Sequence, residues 1–373
     1  MSQYGGVGGV GGVGGVGGVG GVGGVGGVGG VGGVGNFIGI GSFLGAGDVG
    51  GYDGLTTTGL GLTAEALRHL MDEGDAPAPA DLVPGDPSNF GRMAVWVRGS
   101  LYVSEFVSGL SWRTDGEGGQ HRATLSIDGA DWVTLHRPDG ETLAAQCRHV
   151  RNYAALRDER GVEVISQLGF PTPYFAMVLG LNTAEHKHTF ELVTATQVAA
   201  AHTAMILKSL LAVRRPDQVD GRIMPMIPTP GHGSFPSAHA TEAYAVATVL
   251  EALTTQWASL ADQDGRVRVL RALAERIAVN RTIAGVHYPI DSWAGATLGT
   301  AVGHAILGRC GLDVSTNVAG LNAADVDFFD ADFRDDDARD AAGLTFDEAQ
   351  VSANASPAFT WLWDAAMAER QVG

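Results

Sequence analysis

The stretch "GSFPSAHATEAYAVA", residues 233–247, sets Pro236, Ser237, Ala238 and His239 directly before an alanine-rich helix. A helix N-terminus offers N–H groups without intrahelical partners and the positive end of a dipole. Proline suits the first turn, and Ser237 or Ser234 can cap it. The N–H groups of Ser237, Ala238 and His239 are therefore expected at an open helix start. An oxyanion seated there would meet backbone donors, the Ser237 hydroxyl and the His239 ring. An ordinary helix start with a satisfied histidine gives the same local pattern, so the flanking chain has to decide.

Two flanking stretches supply charge. In "KSLLAVRRP", residues 208–216, Lys208 and Arg215 stand seven apart, two helical turns, with Pro216 as a stop. Alone, this pair reads more readily as a snorkelling lysine and an ordinary C-terminal arginine than as a site. In "NRTIAGVHYPID", residues 280–291, Arg281 can make bidentate oxyanion contacts. His287 and Asp291 are four apart around Pro289. That spacing lets Asp291 accept the Nδ1 proton of His287 and leaves Nε2 as nucleophile or ligand. Three cations, a helix start and two histidines should line one cavity the size of a phosphate ion.

The ordered pattern Lys-x6-Arg-Pro, Pro-Ser-x-His and Arg-x5-His-x3-Asp resembles the superfamily of type 2 phosphatidic acid phosphatases, bacterial acid phosphatases and vanadium haloperoxidases. It spans residues 208–291, with two departures. Ala238 stands where the family has glycine, and Asn280 where it has serine before the arginine. The resemblance implies that Lys208, Arg215, Ser237, the Ala238 amide and Arg281 hold the oxyanion. It makes His239 the acid–base residue, and His287, oriented by Asp291, the phosphate nucleophile or the axial ligand of vanadium. The implied fold is a mainly α helical bundle with the site between helices.

Two reactions share such a pocket. A haloperoxidase would hold vanadate at His287 and oxidise halide with hydrogen peroxide. An acid phosphatase would take phosphate monoesters as substrate and pass through a phosphohistidine. His232, seven residues before His239, resembles a histidine beside the cofactor in vanadium bromoperoxidases and tilts the sequence toward the first reading. As a plain loop histidine it would tilt nothing. A non-catalytic scaffold or binding protein is the third reading, and the intact residue set speaks against it. A zinc hydrolase is disfavoured, because no HExxH or Cys/His pattern accompanies His232 and His239.

The remaining chain frames this core. Its 373 residues carry a net charge of −17, which opposes bulk binding of nucleic acid or anionic membranes. The expected partners are small molecules: peroxide and halide, or a phosphate ester. Monomer and homo-oligomer both stay open. Cys147 and Cys310 form no CxxC motif or disulfide framework. The start lacks the pattern of a Sec signal peptide, and no clean membrane span is read. A soluble protein is expected, cytoplasmic or exported by a non-Sec route.

Four segments are expected. Residues 1–54 hold ten Gly-Gly-Val copies and a glycine-rich continuation, read as a flexible tail. Residues 55–140 form an annex, with a helix capped by Thr63 and a small β-hairpin turning at Asp128-Gly129. The stretch 92–112 is ambiguous between helix and strand. Residues 141–312 form the helical catalytic core. Residues 313–373 form an acidic segment whose aspartates at 325, 327, 330 and 332 read as a solvated surface, since the glycine and glutamate of a calcium loop are missing.

Overall fold

The computed structural model describes residues 54–71, 74, 82–117, 120–329 and 332–370. The Gly-Gly-Val tail and Asp330 lie outside the described residues. In chain order the helices are α1 (Gly54–Leu67), α2 (Val95–Ser108), α3 (Gly140–Tyr153), α4 (Arg157–Ser166), α5 (Thr172–Leu179) and α6 (Lys187–Leu211). Then follow α7 (Pro216–Val219), α8 (Ala238–Gln256), α9 (Gln263–Ile283), α10 (Pro289–Arg309), α11 (Asp336–Ala342) and α12 (Pro357–Ala368). Five strands, β1 (Leu110–Glu117), β2 (Gln120–Ile127), β3 (Ala130–His136), β4 (Thr316–Leu321) and β5 (Leu344–Val351), form one mixed sheet in sequence order. The molecule is thus mostly helical with a five-stranded sheet.

The alanine-rich α8 is the central helix and packs against α6, α9 and α10. Its contact with α10 is close because three glycines four residues apart face it. A Cβ at Gly295 would come within 2.6 Å of Ala240 Cβ, and one at Gly299 within 2.4 Å of the Thr241 carbonyl oxygen. At Gly303 it would meet Thr248 Cβ at 2.5 Å. With no side chain in the way, the N-termini of both helices meet, and the Ser237 amide donates to the Asp291 carbonyl at 2.9 Å.

Helix α6 runs along α8 and is tied to α2 by a buried clamp. Glu191 accepts from Arg98 at 2.6 and 2.7 Å and from the Tyr102 hydroxyl at 2.8 Å. The C-terminal helix closes the same, N-terminal end of α6. Glu369 accepts from the His188 and Thr189 amides at 2.6 and 3.0 Å, satisfying two of the first N–H groups of α6. The stretch Lys187–Val219 is apolar and long enough to cross a membrane, and 67% of its apolar window is buried inside the fold.

Several expectations change here. Helix α1 begins at Gly54, so Thr63 sits inside it and does not cap it. Residues 92–112 split into α2 and the start of β1. Asp128 and Gly129 do make the β2–β3 turn, with φ of 48° and 88°, the positive values that an Asp-Gly hairpin turn uses. That pair is no isolated hairpin, however. β3 pairs in parallel with β4, and β5 extends the sheet, so the chain's C-terminal part completes it.

Residues 325–329 and 332–333 are likewise more than a solvated face. Asp325 accepts from Gln146 at 2.7 Å, while Phe328 and Phe333 are buried against Trp293. The aromatic residues between the aspartates, rather than the charge, decide where that stretch lies.

Candidate active site

The loop between α7 and α8, the α8 N-terminus, the end of α9 and the α9–α10 loop bring the motif residues together. Lys208, Arg215, Ser237, His239, Arg281, His287 and Asp291 are all buried. Arg215, His232, Ala238, His239, Arg281 and His287 line one cavity, with Ile227, Pro230 and Val286 as its apolar wall. Its volume is about 10 Å³, the room for a single water and less than the phosphate-sized space expected.

Ser237 caps α8, accepting from the Ala240 amide at 3.4 Å, and Pro236 lies just before the cap. The Ser237 amide is taken by Asp291, so it is not one of the open donors of the helix start. Ser234, the other capping candidate, does not cap α8. Its hydroxyl donates to Asp291 Oδ2, a contact it shares with the Tyr288 amide at 3.1 Å.

His287 Nδ1 donates to Asp291 Oδ2 at 2.7 Å. Its Nε2 lies 2.9 Å from Arg215 Nη1, which assigns Nε2 as acceptor and the ring as neutral. Burial, with Arg215 and Lys208 nearby, holds the ring well below the usual histidine range. Burial pushes the Asp291 carboxyl upward, against the Ser234 hydrogen bond and the Lys208 charge. Gly285 sets up the loop. It has φ of 86°, and a Cβ there would meet Arg157 Nη2 at 2.8 Å and Pro225 Cα at 3.0 Å.

The three cations are held in different ways. Lys208 Nζ donates to the Gly233 and Ser234 carbonyls at 2.8 and 2.7 Å, fixing the loop before α8. Arg215 bridges the two histidine-bearing loops, through the His232 carbonyl at 3.0 Å, His232 Nδ1 at 3.1 Å and the Val286 carbonyl at 2.7 Å. Arg281 donates through Nη2 to the Val164 carbonyl at 3.0 Å, but its Nε and Nη1 are buried and have no partner among the described residues. Burial lowers both arginines to about 10, so they stay charged at neutral pH. Burial, then Arg215, pushes Lys208 down. Buried donors without partners are costly, and an anion in this cavity would satisfy them.

His239 Nε2 donates to the Gln167 carbonyl at 2.8 Å, so Nδ1 is the nitrogen left to exchange protons. Burial and Arg281 hold this ring well below the usual range. His232 is half-buried, and burial with Lys208 and Arg215 lowers it to about 3. It is therefore a neutral ring, and its Nε2 has no partner among the described residues.

Sequence reasoning missed Gln167 and the whole α4 wall. Gln167 Oε1 accepts from Asn280 Nδ2 at 2.9 Å and from Arg281 Nη2 at 3.4 Å. Asn280 also donates to Glu163 at 3.2 Å, so this departure from the family pattern serves as a strut. The run "RDERGVEVISQ" carried one usable signal, polar residues spaced to face α9.

Residues 189–309 match the family model described as PAP2 superfamily. Two curated relatives, both decaprenylphosphoryl-5-phosphoribose phosphatases, come from Mycobacterium tuberculosis strains CDC 1551 / Oshkosh and ATCC 25618 / H37Rv. Each is 34% identical over 116 residues, which cover 30% of this chain and 56% of the relative. The chain thus spans about half the length of these relatives. Among solved structures, the first bacterial vanadium-dependent iodoperoxidase aligns with a TM-score of 0.33 and 15% identity, over 43% of this chain and 46% of that one. A likeness that low carries no argument about fold or chemistry. Residues 189–309 of this chain form a PAP2 superfamily domain.

Proposed function

We propose that the protein hydrolyses phosphate monoesters through a phosphohistidine at His287. The observation that carries this reading is the line Asp291–His287–Arg215. It leaves a neutral imidazole with its Nε2 lone pair beside a buried guanidinium. Phosphate oxygens would take the N–H groups of Arg215 and the unpartnered Nε and Nη1 of Arg281, and Arg215 would release His287 Nε2. The cavity has to widen as this happens.

The Nε2 lone pair then attacks phosphorus, and the bond from phosphorus to the ester oxygen breaks. The leaving oxygen takes a proton from His239. The bound phosphate's negative charge offsets Arg281 and so favours the protonated His239 that this step needs. In the second half, His239 takes a proton from water, the hydroxyl attacks the phosphohistidine, and inorganic phosphate leaves with His287 restored. The similarity to a phosphatase of a lipid-linked phosphoribose supports an ester on a sugar alcohol as substrate.

One observation favours a second reading, vanadate-dependent halide oxidation: His232 lies in the cavity wall with Nε2 unpartnered. The donor set suits vanadate as it suits phosphate, since both are tetrahedral oxyanions. Lys208, Arg215, Ser237, the Ala238 amide and Arg281 would hold it, with His287 as its ligand. Bound there, vanadate would supply a Lewis acid that activates hydrogen peroxide. His232, held neutral, would accept a proton beside it.

The test is p-nitrophenyl phosphate hydrolysis beside halide oxidation by peroxide, each with and without vanadate. Hydrolysis inhibited by vanadate, with no halide oxidation, is expected. Vanadate-dependent halide oxidation that falls in His232→Ala while hydrolysis does not would replace the first reading with the second. Neither activity, with phosphate still bound, would leave a binding protein.

A further inference from the structure

Glu242 lies on α8 one turn beyond His239 and is 1% exposed. Neither carboxyl oxygen has a hydrogen-bond partner among the described residues. Helix α8 is flanked by α6, which carries Lys208, and by α9, which carries Arg281. The contrast within the molecule is Glu191, equally buried but clamped by Arg98 and Tyr102. A carboxyl kept for stability alone is normally satisfied in that way.

Glu242 stands instead between opposing forces. Burial pushes it well above the usual carboxylate range, while Lys208 and Arg281 pull it back. Among the described residues, the buried carboxyls that act on Lys208 are Asp291 and Glu242, and Glu242 also acts on Arg281. An oxyanion in the pocket would engage the cations that favour the ionised form of Glu242.

We propose that Glu242 is an internal competitor of the oxyanion for Lys208 and Arg281, taking up a proton from solvent when the pocket fills and releasing it when the pocket empties. The inference rests on reading the pocket as an oxyanion site. It gives the pocket a preference that depends on pH. Phosphate binds less tightly as pH rises, because each binding event has to protonate the carboxyl. Product release is helped by the reverse step.

Other groups around Glu242 also respond to a ligand. They are His239 on α8 itself, Lys208 on α6, Arg281 on α9, His287 and Asp291 from the α10 side, and Arg215. The test is therefore a difference between two proteins. Inorganic phosphate is titrated calorimetrically into the full-length wild type and Glu242→Gln, in buffers of different ionisation heat, across the neutral pH range.

The wild type is expected to take up about one more proton per phosphate than the variant. Glu242→Gln is expected to bind phosphate about tenfold tighter at the alkaline end. A merely structural role would change the melting temperature and leave proton uptake untouched. Equal proton uptake, or no tightening in Glu242→Gln, overturns the proposal. If Glu242→Gln does not melt cooperatively, Glu242→Leu takes its place with the same expectations. Phosphate binding without ester hydrolysis would remove the proposed reaction and leave this proposal standing. No phosphate binding by the wild type would overturn both.

Discussion

At the scale of single residues, Asp291 and Gln167 separate two kinds of support. Asp291 Oδ2 gathers the His287 Nδ1, Ser234 hydroxyl and Tyr288 amide donors. An amide in its place can present a donor to Nδ1 and turn the ring's lone pair the wrong way. Asp291→Asn should keep the fold and lower kcat for p-nitrophenyl phosphate by roughly 10²–10⁴, by analogy with other oriented histidines.

The pH sign follows from burial. Asp291 is pushed above the ordinary carboxylate range, so its proton returns at a higher pH than for an exposed carboxyl. The rate should fall as pH drops through that raised value, and the acid limb should vanish in Asp291→Asn. A variant with unchanged kcat and the same limb would remove Asp291 from the reaction.

Gln167 differs, because its side chain holds Arg281 and Asn280 while its main-chain carbonyl holds His239. Gln167→Ala removes only the first role. KM for the ester should rise by about fivefold, the worth of one hydrogen bond, with the pH profile of kcat unmoved. A shifted kcat profile with normal KM would mean that Gln167 acts through His239. Motif spacing made His287, Asp291 and the cations legible in sequence. The role of Gln167 was not legible: the polar spacing of its run marks a face toward α9, but a carbonyl and an amide used once, just past the end of α4, leave no pattern of their own.

At the scale of elements, the site depends on how close α8 and α10 come. The glycines in "AGATLGTAVG", residues 294–303, were present in the sequence, but a helix can place such residues on any face. The facing Ala240, Thr241 and Thr248 of α8 show why side chains are forbidden there. Gly299→Val puts branched carbon where the Thr241 carbonyl lies 2.4 Å from a Cβ, and the two helices have to separate.

Overpacking of this kind costs about 1–3 kcal/mol, which should appear as a lowered melting temperature. Because the Ser237–Asp291 backbone bond sits at the same junction, phosphate affinity should fall as well. A Gly299→Val protein with wild-type melting and wild-type phosphate affinity would show that the junction tolerates spreading. The hairpin turn was legible for the opposite reason: Asp-Gly states its backbone conformation locally, whereas the pairing of β3 with β4 joins segments far apart in sequence.

At the scale of the whole molecule, the PAP2 superfamily domain at residues 189–309 contains the motif residues but not all of their supports. The Val164 carbonyl and Gln167 that hold Arg281 and His239 come from outside it. So does Arg98, whose loss would leave the Glu191 carboxylate buried without its arginine and held by the Tyr102 hydroxyl, a defect of up to about 3–5 kcal/mol. Glu369, which satisfies the start of α6, and Phe328 and Phe333, which cover Trp293, lie beyond its other end.

A fragment of residues 189–309 should therefore show no cooperative melting and no phosphate binding by calorimetry, while the full chain shows both. The loss should not be recovered by adding back residues 310–373 alone, since the α4 wall would still be missing. If the bare fragment melted cooperatively and bound phosphate as tightly as the full chain, the surrounding elements would be accessories, and the carbonyls of Val164 and Gln167 would have no part in holding the pocket.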